Sequence, residues 1–447
     1  MEGFLDGYRI LDLTDQKGHL CGRILGDMGA DVVKIEPPQG DPSRNIGPFY
    51  HDEPDPEKNL NWFFTNANKR GITLDPATPD GKKIFQRLVE SADLVIESFA
   101  PGYMREIGLG YSDLASIKPD IILTSITPFG QSGPRANLKV TDLIASAMGG
   151  QVYLFGDRDR PPVRITAPQA FFAGSQQAAV GSISALYHRE LTGEGQSLDV
   201  SIQEAVTYSL TYNLQFWEQM QTVRRRSGPG FNRPRLPSLD VLADLGLGNL
   251  EDWDPRELYL KLVDMDVMED FVSQWMYPCK DGYVCLALQG AGGAPVKSST
   301  AIIAWANSEG YALKIKDYDW GTWDSNSILQ NEQELLQNEI TAFLLTKTKT
   351  ELLEEAAKRR ILLAPVNTVA DLPENPQFSA REYFQEVYHP ELDDTLTYPG
   401  PSVKVDQCPQ KIYRKAPNIG EHNREIFIKE LGMSEKELDT FQEQGVI

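Results

Sequence analysis

The first 210 residues alternate short apolar runs with helical patterns, and this alternation limits the fold more than any other feature of the chain. Residues 8–13 (YRILDL), 31–36 (DVVKIE), 94–97 (LVIE) and 121–126 (IILTSI) read as strands. Residues 18–28 and 81–91 carry helical spacing, and Gly29 closes the first of these helices. Strand–helix–strand order calls for an α/β fold, with a parallel sheet covered by helices on both faces. Sheets of that kind bind ligands beyond the carboxyl ends of their strands.

The pattern changes after residue 210. A basic cluster (Arg224, Arg225, Arg226) leads into Gly- and Pro-rich loops and acidic helical stretches, then a strand at 283–288 and helical spacing over 332–358. The expected organisation is a large α/β domain over 1–210, a linker and smaller α/β domain over 211–369, and loops followed by one helical tail over 370–447. Four cysteines without a CxxC pair, and five scattered histidines, give no reason to expect a metal. A net charge of −21 argues against a nucleic-acid partner, which would need a basic face. No apolar run approaches the ~18 residues of a membrane helix, and the N-terminus lacks the basic and apolar regions of a signal peptide. A cytoplasmic protein is expected.

Several motifs carry possible chemistry. Lys69 and Arg70 in NANKR stand just before a strand-like GITLD and could reach phosphates, or form an exposed basic turn. The loop PFGQSGP over 128–134 follows a strand, and its glycines allow close backbone approach. Asp142 reads either as a general base or as the N-cap of a helix over 143–148. His188 reads either as a base or as a charge at a helix C-terminus. The Ala-, Gly- and Ser-rich stretch 173–186 reads as a packing helix, and no acidic residue occurs between Asp159 and Glu190.

In combination and in this order, ILDLT, LGDMGADVVKIEPPQGDPSR, NANKRGITLD, ADLVIESFAPGYMREIGLGYSDL, PFGQSGP, ALYHRELTGEGQSLDVSIQEAV and APNIGEHNREIF resemble the family III CoA-transferases almost end to end. That group includes formyl-CoA and carnitine CoA-transferases and methylacyl-CoA racemases. The resemblance implies a Rossmann-like large domain, to which residues 370–447 return, and a small α/β domain, with two chains threaded into an interlocked dimer. It also implies that an aspartate attacks an acyl-CoA thioester, releases the thiolate, and passes the acyl group on through a mixed anhydride. Here the position of that aspartate falls on Ala170 or Phe171, depending on register, so no catalytic residue is expected in this chain. Gln16, Lys69, Phe99 and Lys139 stand where the family contacts CoA, while Pro37 and Ser98 depart from the basic and amide residues usual there, and the basic position after PGxxx is shifted, with Arg105 before Glu106.

The resemblance therefore points to the non-catalytic subunit of a heteromeric transferase, with a homologous catalytic subunit as partner. Such an enzyme would move CoA between a dicarboxylic thioester such as succinyl-CoA and an aryl- or alkylsuccinate, as in anaerobic aromatic degradation. CoA thioester would be substrate, with no permanent cofactor. The alternative is a homodimeric transferase, racemase or lyase that uses Asp142, His188 or Gln169. The region 224–275 and the aromatics Tyr311, Tyr318, Trp320 and Trp323 fit either a bulky substrate or a local core.

Overall fold

Four of the expected strands form the middle of one parallel sheet. In chain order the elements are β1 (Arg9–Leu13), α1 (His19–Asp27), β2 (Asp31–Glu36), α2 (Leu60–Asn66), β3 (Lys69–Thr73), α3 (Pro79–Val89), β4 (Leu94–Glu97), α4 (Tyr103–Glu106), α5 (Tyr111–Ile117), β5 (Ile122–Thr127), α6 (Asp142–Met148), α7 (Ala170–Thr192), β6 (Ser197–Ser201) and α8 (Ile202–Tyr208). This computed structural model describes residues 3–447 except 158, 222, 225, 227, 229, 236–238, 248–252, 255, 256, 259, 260, 263, 264, 266–268, 291, 292, 321–329 and 409. Arg225 and Trp323 thus lie outside the described residues.

The strand order is β3-β2-β1-β4-β5-β6, and every neighbouring pair is parallel. From β1 the chain builds outward through β2 and β3, then crosses back to lay β4 on the other side of β1. That reversal is the topological switch point, where open α/β sheets form a crevice. Side chains alternate across the sheet, as its pleat requires. Leu11, Val33, Ile72 and Val95 pack against α3 and the C-terminal helices, while Ile10, Val32, Leu94 and Ile96 pack against α1 and α7.

Local chemistry sets the helix ends. The Asn59 side chain accepts from the Trp62 amide at 2.8 Å to start α2, and Thr78 accepts from the Gly81 amide at 3.1 Å just ahead of Pro79 in α3. Gly193, at φ 74°, closes α7 in the left-handed conformation. The tail, one helical run in the sequence pattern, divides into a π-helical stretch over Arg424–Glu430 and a helix over Glu435–Glu443. Gly432 at φ 71° breaks it, and a Ser434–Glu437 capping box restarts it.

The chain forms two compact units. The first comprises Met1–Gln151, Ile165–Ser209 and Asn375–Ile447; the second comprises Val152–Arg164 and Leu210–Glu374. Residues 152–164 join the second unit rather than the first because the Arg226 guanidinium donates to the carbonyls of Tyr153, Asp157 and Arg160. In that unit an antiparallel sheet runs Leu363–Val366, Gly282–Leu286, Met276–Cys279. Its core includes Tyr277, Ile302, Trp305 and Phe343; Trp320 is buried in it, and Tyr311 and Tyr318 pack against it. These aromatics are local core.

Candidate functional site

The carboxyl ends of β1, β2, β3 and β4 open into a cavity of about 360 Å3. Its walls include Leu13, Ile35, Leu74, Phe99 and Tyr103, and its rim carries Asp15, Glu36, Asp41 and Asp75. Gln16 lines this cavity and also a smaller one of about 60 Å3, where Trp62, Phe171 and Phe172 meet. Beyond β4, β5 and β6 a third cavity of about 830 Å3 is lined by Glu97, Arg105, Gln131 and Asp199. The loop expected to approach a ligand, PFGQSGP, supplies part of that wall, and the Gln131 amide is held by both Asp199 oxygens at 2.9 Å.

Under the first cavity lies a buried ionic network. Asp12 in β1 is in register with Lys34 in β2, and both are buried. The Lys69 ammonium donates to Asp12 Oδ2 at 2.8 Å, the His19 carbonyl at 2.7 Å and Asn66 Oδ1 at 2.8 Å. Lys34 donates to the Thr14 carbonyl and stands 3.9 Å from Asp12 and 4.0 Å from Asp41. Burial alone would raise the Asp12 carboxyl, but the Lys69 and Lys34 ammoniums hold it below the usual range. Burial pulls His19 down, against its contact with Asp41. Gly22 lets α1 lie over this pair, since a Cβ there would meet Asp12 Oδ2 at 2.3 Å.

The Lys69 side chain thus faces the protein interior rather than a cavity. It is wholly buried, its three ammonium hydrogens are all engaged within the protein, and it lines none of the three cavities. Lys139 is exposed on the loop before α6 and lines none of them either. Of the four positions matched to the family's CoA contacts, the structure brings only Gln16 and Phe99 to one cavity. Phe99 leans on Tyr103 with ring centroids 5.0 Å apart.

At the start of α7, Ala170 is fully buried and Phe171 is 4% exposed; both belong to the core beneath the sheet. Covering a phenylalanine in this way stabilises the fold by roughly 1.5–3 kcal/mol. Asp142 does not cap its own helix: Thr141 does, accepting from the Ile144 amide at 3.5 Å. The Asp142 carboxylate instead accepts from the Gln169 amide at 3.2 Å and the Phe171 amide at 2.9 Å, so it caps α7 from a neighbouring element. His188 is exposed on α7, with Thr192 as its partner, away from the three cavities.

Sequence reasoning missed the ionic network and Glu97. Burial raises the Glu97 carboxyl to about 7, against the Ser125 hydroxyl and the Phe99 amide that stabilise its charge. A signal was present: Asp12, Lys34 and Glu97 stand beside Ile, Leu and Val in the strands of a central sheet and are buried there, where a charge must be paired or protonated. Among the described residues, no group of three or more His, Cys, Asp or Glu is placed to hold a metal ion, and no helix is long and apolar enough to cross a membrane.

The model of CoA-transferase family III matches residues 5–241 and 269–423. The chain is 30% identical to the succinyl-CoA:(R)-benzylsuccinate CoA-transferase subunit BbsE of Thauera aromatica, over 98% of this chain and 97% of that one. It is 27% identical to the succinyl-CoA–L-malate CoA-transferase beta subunit of Chloroflexus aurantiacus, over 99% and 98%. Among solved structures, a CAIB/BAIF family protein from Brucella suis superposes with a TM-score of 0.75 at 25% identity, covering 96% of this chain and 100% of that one.

Proposed function

We propose that this chain, which belongs to CoA-transferase family III, is the non-catalytic subunit of a heteromeric CoA-transferase. Its partner is a homologous subunit that carries the nucleophilic aspartate. The start of α7 carries the reading. Forming a mixed anhydride requires a carboxylate to attack the thioester carbonyl, and the family position holds the Ala170 methyl or the buried Phe171 ring. The nearby carboxylate that could substitute, Asp142, is engaged by two backbone amides.

Two further observations support a partner. Both transferase relatives described above are named as subunits. Val180, Tyr187 and Leu191 are 61%, 67% and 68% exposed along α7, an apolar stripe suited to a protein surface. The assembly would be an interlocked dimer in the cytoplasm. It would move CoA between a dicarboxylic thioester such as succinyl-CoA and an organic acid such as an aryl- or alkylsuccinate.

The test is co-expression with an aspartate-bearing family III homologue, followed by size-exclusion chromatography and a CoA-transfer assay on each chain alone and on the mixture. The expected result is transfer only by the mixed oligomer. Turnover of succinyl-CoA by this chain alone would overturn the reading and return the search to Asp142, His188 and Gln169.

A further inference from the structure

We infer that the switch-point cavity of this chain does not take CoA, so that a heteromer built with it holds one CoA-thioester site for every pair of chains. The stoichiometry rests on the heteromeric reading above; the statement about this chain's own cavity does not.

CoA presents a 3′-phosphate and a diphosphate. A site for it needs backbone amides free to donate and cations able to reach the phosphates. The cavity at the switch point offers neither, because the loops beyond β1 to β4 direct their amides at carboxylates of this chain. Beyond β1, the Asp15 carboxylate accepts from the Lys17 amide at 2.9 Å and the Ser98 hydroxyl at 2.9 Å. The Asp15 carbonyl takes the amides of Gly18 and His19 at the entrance to α1. Beyond β2, Glu36 accepts from the Asp41 amide at 2.8 Å, and Asp41 accepts from the Ser43 amide at 2.8 Å. Beyond β3, Asp75 accepts from the Ala77 amide at 3.0 Å. Beyond β4, Glu97 accepts from the Phe99 amide at 2.7 Å. In each loop an internal carboxylate stands where an external anion would have to sit.

Arg105 lines the larger cavity beyond β4 to β6 and not this one, and the cations beside and beneath this cavity are committed elsewhere. Among the described residues, no Lys, Arg or His lines this cavity. Lys34 and Lys69 lie beneath its floor and neutralise Asp12 and Asp41. Arg44 is 1% exposed, holds Glu36 through two nitrogens at 2.7 and 2.8 Å, and donates again to Glu57 at 2.9 Å and the Pro417 carbonyl at 2.9 Å. Turning any of these outward would strand a buried carboxylate, which is strongly unfavourable. Lys17 is paired with Asp15. Asp75 has no cationic partner among the described residues and would directly repel a phosphate.

The test is isothermal titration of CoA, and of adenosine 3′,5′-bisphosphate as the bare phosphate-bearing end, into this chain alone and into the purified heteromer. The chain alone is expected to show no saturable binding tighter than about 1 mM, and the heteromer to take one CoA for every two chains. Saturable binding by this chain, or two CoA per pair, would overturn the inference. The two proposals fail separately. A chain that is inactive alone yet binds CoA sinks only this one, whereas a chain that transfers CoA by itself sinks the proposed function.

Discussion

Replacing Lys69 with methionine separates a structural lysine from a ligand contact. The substitution keeps the length of the side chain and removes its charge. It leaves the Asp12 carboxylate, wholly buried, without the ammonium 2.8 Å away. Breaking a buried pair by removing one member costs about 3–5 kcal/mol. Lys34, 3.9 Å from Asp12, and the Thr14 amide and hydroxyl, at 2.9 and 2.6 Å, still face the carboxylate. The expected cost is therefore near the lower end, about 3 kcal/mol. A domain of a few hundred residues loses about 2–4 °C of Tm per kcal/mol, so the melting temperature should fall by roughly 10 °C. Scanning calorimetry on the parent, on K69M and on D12L/K69M measures it. The double variant removes both charges and should recover at least about 1 kcal/mol of the loss, because the two sites share one interaction. A K69M chain that melts within about 2 °C of the parent but weakens CoA binding by the heteromer would refute the argument and make Lys69 a ligand contact.

Three other substitutions test separate claims. Burial raises Glu97 to about 7 from 4.5, so between these values the folded chain keeps a proton that the unfolded chain has lost. Its contribution to stability is complete below about 4.5 and disappears as pH rises through about 7, a change of about 3 kcal/mol. Glu97→Gln should flatten that part of the melting profile between pH 5 and 8, and an unchanged slope would contradict a buried protonated carboxyl. Asp142→Ala removes the cap on α7 and should cost about 1 kcal/mol while leaving the heteromer's transfer rate intact. Lost activity with an unchanged Tm would instead give Asp142 a chemical role. Trp320→Ala, at a residue 3% exposed, should destabilise the second unit by about 3–5 kcal/mol; wild-type melting with altered acid selectivity would place the indole at a substrate instead.

Strands and the sheet class were legible because β1, β2, β4 and β5 are short runs built around Ile, Leu and Val and buried on both faces. The ionic network was not legible, since its partners are far apart in the chain: Lys69 and Asp12 are separated by 57 positions. A lysine beside a turn motif reads as a phosphate contact until its neighbours are known. The cap at Asp142 failed for a different reason. Thr141 and Asp142 are both good capping residues, and only the backbone decides that Thr141 serves α6 while Asp142 turns to α7. Residues 152–164 went to the wrong unit because nothing in their composition reports the reach of Arg226.

The start of α7 shows why the scaffold can keep its shape without a nucleophile there. A helix start needs its free amides satisfied and its first turn covered. Asp142 meets the first need by accepting from the Gln169 and Phe171 amides, and the Phe171 ring meets the second by joining the core. Further along, Gly174 lets α7 press on α8, because a Cβ there would meet Ile202 at 2.7 Å. None of these requirements asks for a carboxylate at position 170 or 171. An acid at position 171 would leave the phenylalanine's share of the core unfilled and stand beside the Asp142 carboxylate, where like charges repel. Returning the acid alone would therefore cost stability, and the amides beyond β1 to β4 would still be held by the chain's own carboxylates.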